Sequence, residues 1–396
     1  MVICFTKNMA ILLVMLPTLL SAQHLTRIGS LSKDDGLGFR KVNAIAQDSR
    51  GLIWLGTSQG LERYDGHSFV RFGNNKQADY FFPGGEVFSE SLLVRNDSTF
   101  WLIADGKLYA FDPFTFTSKD ISNRAGVKGY FCALKKGLDG FIWAVVDDDK
   151  QQHLLCSNGA GNFRHVARSR HLRQPFTSIA PDHSGNVWWS TIADGLRLYD
   201  PTGKLLHAAR PDSNIWFGTK MYFTPVYADS RGRVFVFPKS KKEIWQYHPE
   251  QRRHTVLLGN MDALTYTACE DRKGNIWFSQ PQGLRCWNGG AGDSWTDFTT
   301  AMRSEMQFSA VYSLFEDKAG LLWVATDNGL LKLPVGHQIF KSHFSEPGSK
   351  WGTGKRGLFK DSSGKVFFYC ETGRRGLYWL DARTGSVHLL DPFGNP

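Results

Sequence analysis

"GLIWLGTSQGLERYDG", residues 51–66, holds a tryptophan, four glycines and almost no side chain suited to catalysis. Asp48 stands just ahead of it, and the pattern that starts there returns along the chain. "DSRGLIW" begins at Asp48, "DHSGNVW" at Asp182, "DSRGRVF" at Asp229, "DRKGNIW" at Asp271, "DKAGLLW" at Asp317 and "DSSGKVF" at Asp361. Two worn copies, "NDSTFW" and "GLDGFIW", end at Trp101 and Trp143. The closing aromatic therefore falls at 54, 101, 143, 188, 235, 277, 323 and 367, in steps of 42 to 47 residues. A fixed period of this size marks a repeat architecture.

Each copy has the same parts. An apolar alternating run such as "VNAIAQD" leads in, then Asp-x-x-Gly. Asp first and Gly fourth suit a type I turn, with the carboxylate accepting from the turn's own backbone. Next comes a run apolar on both faces, "LIWLGT" or "LLWVAT", as in a strand covered from both sides. Gly-Leu with an aromatic follows ("GLERYD", "GLRLYD"), then a ragged fourth run ("SFVRFG", "SVHLLD"). Four short antiparallel strands make a sheet that cannot bury both faces alone, whereas sheets stacked around an axis can. The expected fold is all-β, a propeller of four-stranded blades.

In this reading Asp48, Gly51 and Trp54, Asp182, Gly185 and Trp188, Asp271, Gly274 and Trp277, and Asp317, Gly320 and Trp323 are structural. The tryptophans wedge between blades, and the small residues two places on (Gly56, Ser190, Ser279, Ala325) leave room for the neighbouring sheet. Eight copies fit a seven-bladed ring plus one repeat, or an eight-bladed ring. The lead-in "HLTRIGSL", residues 24–31, is placed to pair with the last blade and close the circle, although the last copy carries a fourth strand of its own.

Lys7, the apolar run at 9–20 and Ser21–Ala22 read as an export signal over residues 1–22. A lead-in strand over 23–40 and repeats over 41–396 follow. The mature chain is expected outside the cytoplasm, in the periplasm. The signal's twelve-residue apolar run is short for an uncleaved membrane anchor, and no later segment is long and apolar enough to span, so membrane attachment is expected only through segments not in this chain. The formal charge of +10 falls to +9 without Lys7, which suits solubility and admits acidic glycans. Five cysteines remain after the signal, an odd number with no Cys-x-x-Cys. That argues against a disulfide framework or a zinc site.

The pattern D-x-x-G-x-[ILV]-W…G-L-x-[RK]-[YF]-D-G, and the lead-in over residues 25–72 above all, resembles the two-component regulator propeller repeat. The resemblance covers nearly all of the mature chain and is weakest in copies two, three and five. It implies the exported sensor region of a hybrid histidine kinase in a glycan-degrading bacterium, with two seven-bladed rings, a small β-domain, a membrane helix and cytoplasmic phosphorelay domains in full-length relatives. No residue here matches a phosphorylated His or an ATP lid, so phosphotransfer is not carried over. The chain reads as a piece of such a sensor or a stand-alone propeller, and any homodimer would form through downstream domains.

A ligand is expected at the long inter-blade loops. Residues 74–86 offer Tyr80; 167–176 offer Arg168, Arg170 and Arg173; 210–223 offer Trp216 and Lys220; 346–357 offer Trp351 and Arg356. Aromatic faces cover the apolar side of a sugar, and Arg grips carboxylates or sulfates, so the expected partner is an oligosaccharide, acidic for preference. Export argues against nucleic acid. No catalytic residue, metal or cofactor is expected: the acids Asp194, Glu305 and Asp327 are unpaired in sequence, and His153, His165, His171 and His183 are scattered without metal-ligand spacing, most of them reading as surface residues. A propeller lyase or hydrolase acting on acidic glycans is the enzymatic alternative, and a protein-docking scaffold the third.

Overall fold

The computed structural model describes residues 28–96, 99–158, 162–170, 177–209, 225–238, 242–259, 267–289, 294–335, 355–363, 365–370, 376–381 and 387–390. The chain divides into two units, 1–335 and 336–396.

The first unit is built of antiparallel sheets in sequence order. Blade 1 follows β1 (Gly29–Leu31) and comprises β2 (Val42–Gln47), β3 (Ile53–Thr57), β4 (Gly60–Tyr64) and β5 (Phe69–Gly73), with β6 (Tyr80–Phe81) added in parallel. Blade 2 opens with β7 (Val87–Asn96) and ends at Ser118–Asp120. Blades 3 to 6 open with Tyr130–Lys136, Thr177–Pro181, Val226–Ala228 and Ala268–Glu270. Blade 7 contributes Val311–Glu316, Leu321–Thr326 and Gly329–Pro334, and its fourth strand is β1, antiparallel through Gly29↔Lys332 to Leu31↔Leu330. A short helix, Thr299–Glu305, precedes it.

Apolar clusters lie between successive sheets, and the cycle returns to its start. Blades 1 and 2 meet through Trp54, whose ring meets Phe100 and Phe111 edge-on at centroid distances of 5.4 and 5.3 Å. Blades 7 and 1 meet through Trp323 and Leu330 against Val42 and Tyr64. The expected wedge is therefore observed, and so is the space beside it: a Cβ on Gly56 would come within 2.5 Å of Val87 in the next blade. The eight-bladed alternative is not adopted, because β1 takes the fourth-strand place in the seventh sheet.

The repeated turn shows why Asp and Trp recur six residues apart. In repeat 1 the Gly51 N–H donates to the Asp48 carbonyl (3.1 Å) with Gly51 at φ 90°. Asp48 Oδ1 accepts from Leu52 N–H (2.9 Å) and Oδ2 from the Trp54 indole (3.1 Å). Repeats 6 and 7 do the same, Trp277 donating to Asp271 (2.9 Å) and Trp323 to Asp317 (2.8 Å). In repeats 2 and 3 the residue six places before the tryptophan is Arg95 or Gly137. The buried Trp101 and Trp143 Nε1 atoms there have no partner among the described residues.

A second device ties turn to turn. The residue before the repeat Asp reaches the preceding blade: Ser230 N–H donates to Glu270 (2.8 Å), Arg272 N–H to Glu316 (2.7 Å) and Lys318 N–H to Gln47 (2.8 Å), the last across the seam from blade 7 to blade 1. Near that seam Glu62, fully buried, accepts from Gly38 N–H (2.9 Å) and Phe39 N–H (3.0 Å) and so anchors the segment after β1. Burial pushes its pKa up to about 7, against the lowering pull of those two N–H groups and of Arg71.

The second unit is one four-stranded antiparallel sheet, Lys355–Lys360, Lys365–Cys370, Gly376–Asp381 and Val387–Leu390. Phe368 and Tyr378 are its buried pair, while Leu358 and Phe359 are 80% and 65% exposed.

Candidate functional site

In the first unit the innermost strands of blades 2 to 5 and the start of blade 6 converge on a cavity of about 240 Å³. Glu90, Lys135, Ser178, Tyr227, Thr267 and Glu270 line it, along with an apolar wall that includes Val226 and Phe237.

Glu90 is its most unusual member. In β7 the register jumps from Val87↔Ala104 to Leu92↔Leu102, so the residues between bulge out of the ladder. Glu90 has φ 56°, a left-handed conformation disfavoured for a residue with a Cβ. The bulge is held by the Ser91 hydroxyl, which donates to the Phe88 carbonyl at 2.8 Å. The Glu90 carboxylate then accepts from Lys135 Nζ of blade 3 at 2.6 Å and from the Thr267 hydroxyl of blade 6. It thereby links blade 2 to a blade that is not its neighbour.

The remaining polar groups are partly committed. Both Glu270 oxygens accept from Ser230, from N–H and hydroxyl at 2.8 Å each. Glu270 N–H donates to Tyr227 Oη at 2.8 Å. Burial holds the Tyr227 phenol well above its ordinary pKa and pushes the neighbouring Cys269 thiol up to about 12. Lys136 Nζ donates to the Val94 and Arg95 carbonyls, both at 3.0 Å. Ser178 Oγ accepts from Val226 N–H at 3.2 Å.

The residues expected to meet a ligand do not gather here. Tyr80 lies in β6 rather than in a loop; it stacks on Phe72 (5.3 Å) and packs on Phe116 (4.7 Å), leaving it half-exposed. Arg168 and Arg170 lie on the outermost strand of blade 3, Arg164–Arg170, and are exposed. Arg168 Nε donates to His165 Nε2 at 3.3 Å. Arg173, Trp216, Lys220 and Trp351 lie outside the described residues. Arg356 pairs with Tyr369 in the second unit, and its side chain lies outside the description.

Two smaller expectations are corrected or placed. His153 is not a surface residue: it is buried, with Nε2 2.9 Å from Asp148 and Nδ1 3.1 Å from His165. Asp194 bonds Arg197, and Asp327 accepts from the backbone of Ser309 and Ala310. Sequence reasoning passed over Glu90, yet the signal was present. The polar run Ser89-Glu90-Ser91 interrupts an innermost strand whose counterparts are largely apolar.

Among the described residues no group of three or more His, Cys, Asp or Glu is placed to hold a metal, and no helix is long and apolar enough to cross a membrane.

Comparison with known proteins agrees with this architecture. The family model "two component regulator propeller" matches residues 36–59 and 306–328, so the chain carries repeats of that type. The extracellular domain of the hybrid two component system BT4673 of B. thetaiotaomicron is 16% identical over 92% of this chain and 47% of its own, with a TM-score of 0.61. That of BT3049 from the same organism is 14% identical over 93% and 50%, with a TM-score of 0.58. Virginiamycin B lyase from Staphylococcus aureus is 11% identical over 78% and 99%, with a TM-score of 0.56. At these identities the likeness establishes the β-propeller fold alone. The chain spans about half the length of the two sensor ectodomains. No curated protein matches the sequence.

Proposed function

We propose that the chain is the ligand-sensing propeller of an exported hybrid two-component sensor that regulates glycan utilisation, cleaved from its export signal and working in the periplasm. The observation that carries this reading is the two-component regulator repeat at 36–59 and 306–328, on a fold similar to sensor ectodomains from a single organism. The repeated residues are spent on turns and wedges, which leaves binding rather than chemistry to the channel and the rims. Ligand binding then acts by favouring one arrangement of neighbouring domains over another. An oligosaccharide, acidic for preference, is the partner the exposed Arg168, Arg170 and the half-exposed Tyr80 would suit.

Purified protein mixed with a panel of neutral and acidic oligosaccharides tests the proposal. The expected result is a rise in melting temperature with one class and no new reducing or unsaturated ends. Appearance of such ends overturns it in favour of a lyase or hydrolase. Silence across the panel favours a scaffold that docks another exported protein.

A further inference from the structure

The channel cavity has chemistry of its own, distinct from the rims. Its charged groups cancel or are already engaged. Glu90 faces Lys135, both Glu270 oxygens face Ser230, and Lys136 is held by two carbonyls. Among the described residues the carboxylates of the lining, Glu90, Glu270 and Asp229, are matched in number by Lys135, Lys136 and the Arg233 that binds Asp229, so no net charge selects a cation or an anion and a neutral ligand is favoured.

A carboxylate and an ammonium side by side complement two adjacent hydroxyl groups, since each hydroxyl both donates and accepts. The hydroxyl that Glu90 now receives comes from Thr267, across the channel. Val226 and Phe237 supply the apolar surface that the C–H face of such a molecule requires. A volume of about 240 Å³ admits one ring, not a chain. The left-handed backbone at Glu90, together with its bulge, is the kind of strain that persists where a side chain must be presented in one place.

We propose that the channel between blades 2 and 6 binds a small neutral polyhydroxylated molecule, with adjacent hydroxyls on Glu90 and Lys135, and that the ligand displaces the Thr267 hydroxyl from Glu90. The link between blades 2 and 6 is then made in the empty protein and broken in the loaded one. This rests on the reading of the propeller as a ligand sensor and locates a binding site away from the rims.

The test uses the full chain and defined probes: glucose, galactose, xylose, sorbitol and myo-inositol, followed by titration calorimetry. At least one is expected to bind the parent protein. Glu90→Gln keeps the side-chain shape, and Glu90→Gly accepts the left-handed backbone without strain; each is expected to weaken binding at least tenfold with a melting temperature close to the parent's. Thr267→Val removes the competing hydroxyl and is expected to tighten binding severalfold, a gain that a merely structural residue would not give. Tyr80→Ala and Arg168→Ala are expected to leave binding unchanged. If no probe binds while an oligosaccharide does, or if binding follows Tyr80 and Arg168 rather than Glu90, the channel site is overturned and the sensor reading stands. If neither probes nor oligosaccharides bind, both fall.

Discussion

Blades 1, 6 and 7 and blades 2 and 3 bury the same tryptophan at the same place, but among the described residues only the first group gives its indole N–H a partner. Trp54, Trp277 and Trp323 donate to the Asp that opens their own turn. Trp101 and Trp143, with Arg95 and Gly137 at that position, do not. The difference separates two roles that the repeat otherwise fuses. The ring fills the space between sheets, and the carboxylate satisfies both a turn and the ring's one polar atom. The first role is kept in every one of these blades; the second can be lost, at the cost of one unsatisfied donor.

Substitutions separate the two roles. Trp54→Ala and Trp143→Ala are both expected to lose about 3–5 kcal/mol of unfolding free energy in denaturant titrations, because both empty a packed interface. A gap of no more than about 1 kcal/mol, for the hydrogen bond that only Trp54 gives up, would show that packing does not depend on the missing Asp. Glu62 extends the comparison to a buried group that has its partners but carries charge. Its pKa is raised from 4.5 to about 7 by burial, so the folded state holds the proton more tightly. Its contribution is fully present below the unfolded value and is lost as pH rises through 7. The stability of the parent relative to Glu62→Gln should therefore fall by up to about 3 kcal/mol between about pH 5 and pH 8. Burial lowers the pKa of His165, His207 and His254, which works in the opposite direction, and taking the difference removes it.

Asp317→Ala strands the Trp323 indole and the Ala319 and Leu321 N–H groups and is expected to cost about 2–3 kcal/mol by the same titration. Asp139→Ala, in the worn turn of blade 3, removes a bond to Phe141 N–H alone and should cost clearly less. Trp323→Phe should destabilise by about 1 kcal/mol more than Trp143→Phe, since only the former gives up a hydrogen bond. A larger loss at Trp143 would mean that its indole has found an acceptor. Gln47→Ala, which opens one clip at the seam, is the smallest effect, about 1 kcal/mol or less in thermal melts.

Much of this architecture could be read from one blade's sequence because its causes are local. The Asp-x-x-Gly turn closes on itself within four residues, and the wedge and its small neighbour recur at fixed offsets. What stayed hidden depends on partners distant in sequence. Gln47 and Glu316 look like ordinary strand ends until the adjacent turn is placed against them. Glu90 matters because of Lys135 and Thr267, 45 and 177 residues away. Tyr80 and Arg168 read as loop residues because aromatic and basic runs between apolar strands look alike whether they hang free or extend a sheet edge.

The pairing of β1 with Gly329–Pro334 has a consequence for synthesis. The strand that completes blade 7 emerges some three hundred residues before its partner, so it waits unpaired while six sheets form. A waiting strand is an invitation to mispair with other chains. Here it is only three residues long, too short to template aggregation, and the circle is sealed by the first piece of the propeller to be made and the last.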